Sequence, residues 1–241
     1  AFQGVVDNAI FAGDGVAQGG IVAVFGERFA ASDPVQATKL PLGTTLGGAT
    51  VFVNDKPAPV YYVAANQINF QIPYGTPTGL ATVRVDRDGQ RGNTVTVNVA
   101  AALPRLLRLG IGDYPIAVQQ DGAFPVPTTP GVGHPVNRGD VLTFYALGLG
   151  PTNPGVVEGV AAPGAEPLAR VNVPKVVFGQ TFFPGSGIPA TPLYSGLTPF
   201  FVGLYQINVL VPNGSPVGDT VNVSLDMGGG VVSNRVTIAV Q

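Results

Sequence analysis

Four side-chain amides are spaced as if to act in pairs. Gln67 and Asn69 flank Ile68, and Gln206 and Asn208 flank Ile207. Alternate residues of a strand share one face, so each pair can present two amides to a sugar hydroxyl or a peptide backbone. The same amides can instead bond neighbouring backbone and fix the corner where a strand enters its turn, and this architectural use is the expected one because both copies keep it. His134 is the only histidine, held between Gly133 and Pro135. Nucleophilic or metal chemistry would require partners that its surroundings do not supply, so it reads as a loop histidine. Ser186, in Pro184-Gly-Ser-Gly187, lacks the strand and the full Gly-x-Ser-x-Gly elbow of an activated serine. Asp86, Asp88 and Asn93 around Gly89 could offer oxygens to Ca²⁺, but Arg87 and Arg91 oppose a cation there. Arg138-Gly139-Asp140 spells an adhesion tripeptide, yet it opens a strand in register with Gln18-Gly19-Gly20 and is read as incidental. No glycine-rich loop joins a strand to a helix. The expectation is no catalytic residue, no metal and no cofactor: not an enzyme.

What positions these amides is a repeat. Gln67-Ile-Asn69-Phe-Gln-Ile-Pro73-Tyr-Gly75-Thr-Pro77-Thr-Gly79 returns as Gln206-Ile-Asn208-Val-Leu-Val-Pro212-Asn-Gly214-Ser-Pro216-Val-Gly218. Each copy runs on into two alternating strands, the last being Asn93–Val99 and Asn234–Val240. Upstream, Gly20–Phe25 corresponds to Gly139–Tyr145, and Pro41-Leu42 to Pro167-Leu168. A supersecondary unit repeated in this way predicts two related domains. Runs such as Ala49–Val53, Ala81–Val85 and Val141–Tyr145 are β-branched and aromatic and are bounded by turn formers, so they read as strands at sandwich spacing. Asp86-Arg-Asp88-Gly89 and Asp226-Met-Gly228 are expected to close the last two strands of each domain as hairpins. The fold class expected is all-β, two tandem immunoglobulin-like β-sandwich domains, 1–103 with an N-terminal segment and 104–241 with a Pro/Gly-rich lead-in.

Composition bounds the partners. The chain has 241 residues with 34 Gly, 23 Pro, no Cys and no Trp, which leaves few places for helices and none for disulfides. Net charge is -2 and the 12 bases are dispersed, so the electrostatic footprint for nucleic acid is missing. No apolar run approaches the length of a bilayer span. Charged residues are only 11% against 45% hydrophobic ones, too few to coat two independent domains, and part of the surface is therefore expected to be buried against further copies. The first 18 residues, with Phe2, Val5, Val6, Ile10 and Phe11, are too apolar for a free tail. The chain begins at Ala1, which fits removal of a signal peptide, and export to the cell surface is expected.

Phe25-Gly26-Glu27-Arg28-Phe29, with the final hairpin ending in Val-Thr-Val, resembles the opening corner and close of immunoglobulin-like domains of the TIG/IPT type. Tyr62–Tyr74, Tyr145–Pro151, Gly159–Pro163 and Gly203–Pro212 are similar to a family of C-terminal domains in secreted proteins of Solibacter-like acidobacteria. That resemblance implies an exported all-β module and carries no catalytic residue. The function expected is a non-enzymatic extracellular structural protein that assembles into a cell-surface filament or layer through strand edges, with Phe2, Val5, Val6, Ile10 and Phe11, or the lead-in 120–135, as the linking segment. The alternative is a secreted adhesion module that binds surface polysaccharide or protein through loops such as 125–134 or 182–191.

Overall fold

The computed structural model describes residues 4–31, 33–172, 174–180 and 186–241, and every regular element among them is a strand. The chain divides into two compact units: Ala1–Leu103 with Leu147–Ala169 and Leu197–Leu204, and Pro104–Ala146 with Arg170–Gly196 and Tyr205–Gln241. The first carries β1 (Gly4–Asp7), β2 (Val16–Ala17), β3 (Ile21–Phe25), β4 (Val35–Gln36), β5 (Thr45–Leu46), β6 (Ala49–Val53), β7 (Lys56–Ala58), β8 (Val60–Val63), β9 (Gln67–Gln71), β10 (Gly79–Arg87) and β11 (Gln90–Ala100). Its sheets run β1-β3-β9-β8-β4 and β2-β11-β10-β6-β5, with β7 also on β6. The second carries β12 (Arg105–Leu106), β13 (Ala117–Val118), β14 (Val141–Leu147), β15 (Lys175–Phe178), β16 (Ile188–Ala190), β17 (Tyr194–Leu197), β18 (Tyr205–Leu210), β19 (Gly218–Asp226) and β20 (Val236–Val240). Its sheets run β12-β14-β18-β17, with β13 also on β14, and β16-β15-β19-β20.

Alternation dictates the sandwich. In the first unit one core joins Val22, Val24, Val60, Ile68 and Phe70 of one sheet to Val51, Val53, Val83, Val97 and Val99 of the other. In the second unit Leu142, Phe144, Ile207 and Val209 are buried in one sheet, and Val176, Phe178, Val223, Leu225 and Ile238 in the other. Residues between them in sequence point the opposite way, as the two-residue period requires.

The register repeats as well as the order of strands. Ile21, Ala23 and Phe25 face Gln71, Asn69 and Gln67 across β3 and β9. Val141, Thr143 and Tyr145 face Leu210, Asn208 and Gln206 across β14 and β18. The chain is thus two tandem immunoglobulin-like β-sandwiches related by internal duplication. The β10–β11 hairpin turns at Asp88 and Gly89, φ 49° and 78°, which is the twist that matches two strands joined by two residues.

The segments proposed to link copies lie in the chain's own sheets. β1 pairs with β3 in full register, Gly4 with Phe25 through Asp7 with Val22, and buries Val5 and Val6. The lead-in lines the outer edge of β20: Ala239 N donates to Pro125 O at 2.8 Å, Val136 N to Ala239 O at 2.9 Å and Thr237 N to Asp113 O at 2.9 Å. Both segments satisfy backbone groups that an open sheet edge would expose. Residues 1–3, and Phe2 with them, lie outside the described residues.

The two outer faces of the repeated strand pair differ. In the first unit, residues 147–169 and 197–204 lie over it. Gln71, 1% exposed, donates from Nε2 to Gly19 O at 3.1 Å and accepts from Gly159 N on Oε1 at 2.7 Å. A Cβ on Gly203 would meet Ile21 Cδ1, and Tyr61 Oη donates to Val202 O. Ile21 and Ala23 are accordingly buried. On the corresponding face of the second unit Val141, Thr143 and Tyr145 are half-buried and Leu210 is 44% exposed.

Candidate functional site

The polar chemistry foreseen along the chain stays local. Gln67 Nε2 donates to Asn69 Oδ1 at 2.8 Å, and Gln206 Nε2 to Asn208 Oδ1 at 3.4 Å. The expected bonds from these amides to neighbouring backbone give way to amide-to-amide bonds, because residues two apart on one strand face lie within reach of each other. The corner is made by backbone instead: Thr76 N donates to Pro73 O and Ser215 N to Pro212 O, turning the chain through Gly75 and Gly214 in the same manner. His134 bonds through Nε2 to Asp121 Oδ2 at 2.9 Å and through Nδ1 to Pro135 O at 2.9 Å. Both ring nitrogens thus have partners within its own loop region. The Pro135 carbonyl first and the Asp121 carboxylate second raise the imidazole above its ordinary range. The Ala123 N–H and then His134 hold the Asp121 carboxyl below its own. Asp86 is occupied by Arg84, whose Nε donates to Oδ1 at 2.8 Å, and that guanidinium keeps the carboxyl low. Among the described residues no group of three or more His, Asp or Glu is arranged to hold a metal ion.

Tyr205 is fully buried, and burial, then the neighbouring Tyr74, pushes the Tyr61 hydroxyl well above the ordinary phenol range. Tyr194 lies beneath the Arg170 guanidinium at 5.0 Å.

Two concave regions lie at one end of the first sandwich. A cavity of about 590 Å³ is walled by Phe11, Phe25, Glu27, Asn66 and Gln67. A second cleft of about 650 Å³ shares Phe25 and Glu27 and continues to Arg28, Arg87 and Arg91. Phe11 and Phe25 face each other at 6.1 Å between ring centroids, tilted by 54°. Phe11 is half exposed at φ 57°, and Arg28 stands at φ 61°, both in the left-handed region that bulky residues avoid. What holds Phe11 there is Asp7, whose Oδ1 accepts from Ala9 N at 2.9 Å and Ile10 N at 2.8 Å and whose Oδ2 accepts from Ala12 N at 2.8 Å. Among the described residues foreseen for assembly, Phe11 is half exposed, Ile10 is half-buried, and Val5 and Val6 are buried. Sequence reasoning missed Asp7 and Gln71. The second had a signal, since Gln71 stands where the other copy has Leu210.

Residues 9–100 match the family model described as IPT/TIG domain. That stretch, from Ala9 to the end of β11, is similar to an immunoglobulin-like module of this type. Comparison with curated proteins gave no match. Among solved structures, the "Structure of the S-layer protein SbsC, domains 5-6" is 14% identical, with 100% of this chain and 96% of that chain covered and a TM-score of 0.25. At that score the likeness carries no argument about shape or role. No described helix is long and apolar enough to cross a membrane.

Proposed function

We propose that this is a non-enzymatic extracellular structural protein whose tandem sandwiches associate with further copies into a cell-surface filament or layer. The observation that carries the reading is β1. It is a four-residue edge strand, joined to the rest of its sandwich by residues 8–15, and that connection turns on the single carboxylate of Asp7. An edge filled by so short a strand can be filled equally by the same strand of a neighbour, which makes a heterologous contact that need not close. Low charge and the exposed side chains of Phe11, Leu80, Phe200 and Phe201 support burial against other copies. The resemblance of Tyr62–Tyr74 and Gly203–Pro212 to the C-terminal domains of exported acidobacterial proteins supports the cell surface as its place.

The test locks the strand at home. Val6 and Ala23 are cross-strand partners, and the chain has no cysteine of its own, so Val6→Cys with Ala23→Cys can form one intrachain disulfide. Oxidised, the variant should remain monomeric on a sizing column; reduced, it should assemble like the natural chain. Deletion of residues 1–12 should abolish assembly while the β circular dichroism signal persists. Fibres or sheets in electron micrographs of the oxidised variant would refute strand exchange.

A second reading is favoured by one feature, the cavity between Phe11 and Phe25 beside the amides of Asn66 and Gln67. Paired rings next to amides suit a surface polysaccharide or a protein loop. Saturable binding of a glycan by the monomer, lost in Phe25→Ala, would favour adhesion.

A further inference from the structure

The two outer faces of the duplicated sandwich differ: one is sealed at Ile21, Ala23 and Gln71, whereas the other is half-buried and exposed at Leu210. From the difference we infer that the outer face of β14, β18 and β17 docks residues 27–48 of a second copy. This rests on the self-association reading and adds a second contact to it, as a layer needs.

The occupant is set by the repeat. On the first sandwich the outer face of β3, β9 and β8 is covered in part by residues 147–169, the stretch that directly follows β14. The stretch that directly follows β3, the equivalent strand, is 27–48. Both contain the same Pro-Leu pair, Pro41-Leu42 and Pro167-Leu168. The face pairs are equivalent residue by residue: Ile21 with Gln71 against Val141 with Leu210, and Ala23 with Asn69 against Thr143 with Asn208. Under the cover Ile21 is 8%, Ala23 0% and Gln71 1% exposed; at the matching positions Val141 and Thr143 are half-buried and Leu210 is 44% exposed, with the adjoining Leu193 at 61%. Leu193 borders the open face, its N–H donating to Asn208 O at 2.7 Å.

The chemistry of the two surfaces agrees. Gln71 is a buried amide that needs a backbone partner, and Gly159 N supplies it; Leu210 at the same place needs only apolar cover. Segment 27–48 offers an exposed Leu40, at 52%. Its two acids, Glu27 and Asp33, and two bases, Arg28 and Lys39, cancel, so it brings no net charge to a face whose strands carry none. The segment is anchored in its own sandwich by β4 on β8, β5 on β6 and the buried Leu42, and most of its described residues still face outward, where a partner can meet them. A contact from the first repeat of one copy to the second repeat of another is heterologous and propagates.

The experiment uses the full chain. Leu40→Cys and Leu210→Cys are prepared separately, each as the sole cysteine, then mixed under mild oxidation. The mixed disulfide between the two variants should form faster than either homodimer and faster than a mixed disulfide of Leu80→Cys with Leu210→Cys. In parallel, sedimentation of Leu210→Glu with Thr143→Arg should show association weakened about tenfold or more, with unchanged circular dichroism, because both positions point away from the core. If the natural chain assembles but cross-linking shows no preference and Leu210→Glu with Thr143→Arg is silent, this docking is overturned while self-association stands. If the natural chain is a monomer at high concentration, both fall together.

Discussion

The outer face of β3 and β9 and that of β14 and β18 are built on one register, yet they differ in exposure at one end, where Ile21, Ala23 and Gln71 are buried and Val141, Thr143 and Leu210 are not. Inward, the two sandwiches follow the same rule: Val22, Val24, Ile68 and Phe70 in one, Leu142, Phe144, Ile207 and Val209 in the other, all buried. Even the bulk is exchanged between strands, since Phe70 faces Val22 whereas Phe144 faces Ile207. Outward, Gln71 is sealed with both amide atoms bonded, and Leu210 is open. A core must be filled to constant density, so duplication preserves its pattern. An outer face has no such constraint and takes whatever its surroundings supply. The lesson is that specialisation in this protein lies on the outside of its sheets.

The comparison can be broken most forcefully in the cores. Phe70→Ala and Phe144→Ala should each cost about 3–5 kcal/mol in its own sandwich. Chemical denaturation followed by tryptophan-free probes such as tyrosine fluorescence should show one transition shifted by each variant and the other unmoved. A single transition moving in both would mean that the two units unfold as one.

Next in size is the exchange of the outer residues. Gln71→Leu leaves Gly159 N–H and Gly19 C=O without their partner and should cost about 1–3 kcal/mol, whereas the reciprocal Leu210→Gln should stay within about 0.5 kcal/mol in the isolated chain. Equal costs would remove the distinction between covered and open faces.

Asp7→Ala removes three backbone bonds from the turn after β1, a device for which the second sandwich relies instead on the backbone pairing of its lead-in. It should destabilise that turn by about 1–3 kcal/mol, with amide exchange accelerated in residues 4–12 and unchanged in β13.

The smallest effect is the pH response of the second unit, where His134 and Asp121 are paired at the surface. The raised imidazole contributes stability that is fully present below the ordinary histidine value of 6.5 and is lost as pH rises through its folded value. The depressed Asp121 contributes above its ordinary value of 3.8 and is lost on acidification. The pair is therefore strongest between those limits. An NMR titration should find His134 above 6.5, with Asp121→Asn returning it only part of the way because the Pro135 carbonyl remains.

Much of the fold was legible because it is local. Alternation in Val141–Tyr145, the left-handed turn at Asp88-Gly89 and the repeated Pro-Gly corner each depend on a few neighbouring residues. The candidate site was far less so. The apolar character of residues 2–11 was plain, but nothing in that segment states whose sheet Val5 and Val6 complete. The lead-in 120–135 was read as a segment that could link copies; its Pro125 carbonyl accepts from Ala239 N of β20, a pairing no local pattern announces. The self-bonding of Gln67 to Asn69 depended on rotamers that no spacing reveals. Gln71 was visible as a break in the repeat, but its partner Gly159 is 88 residues away.

By itself, the order of amino acids determined two all-β sandwiches and which side of each strand is apolar, because side-chain direction alternates with every residue wherever the strand lies. Tertiary structure alone decided that one outer face is covered and its counterpart open, and that β1 sits on β3. Those outcomes depend on segments remote in sequence meeting in space, where burial and hydrogen-bond satisfaction are settled by what lies opposite.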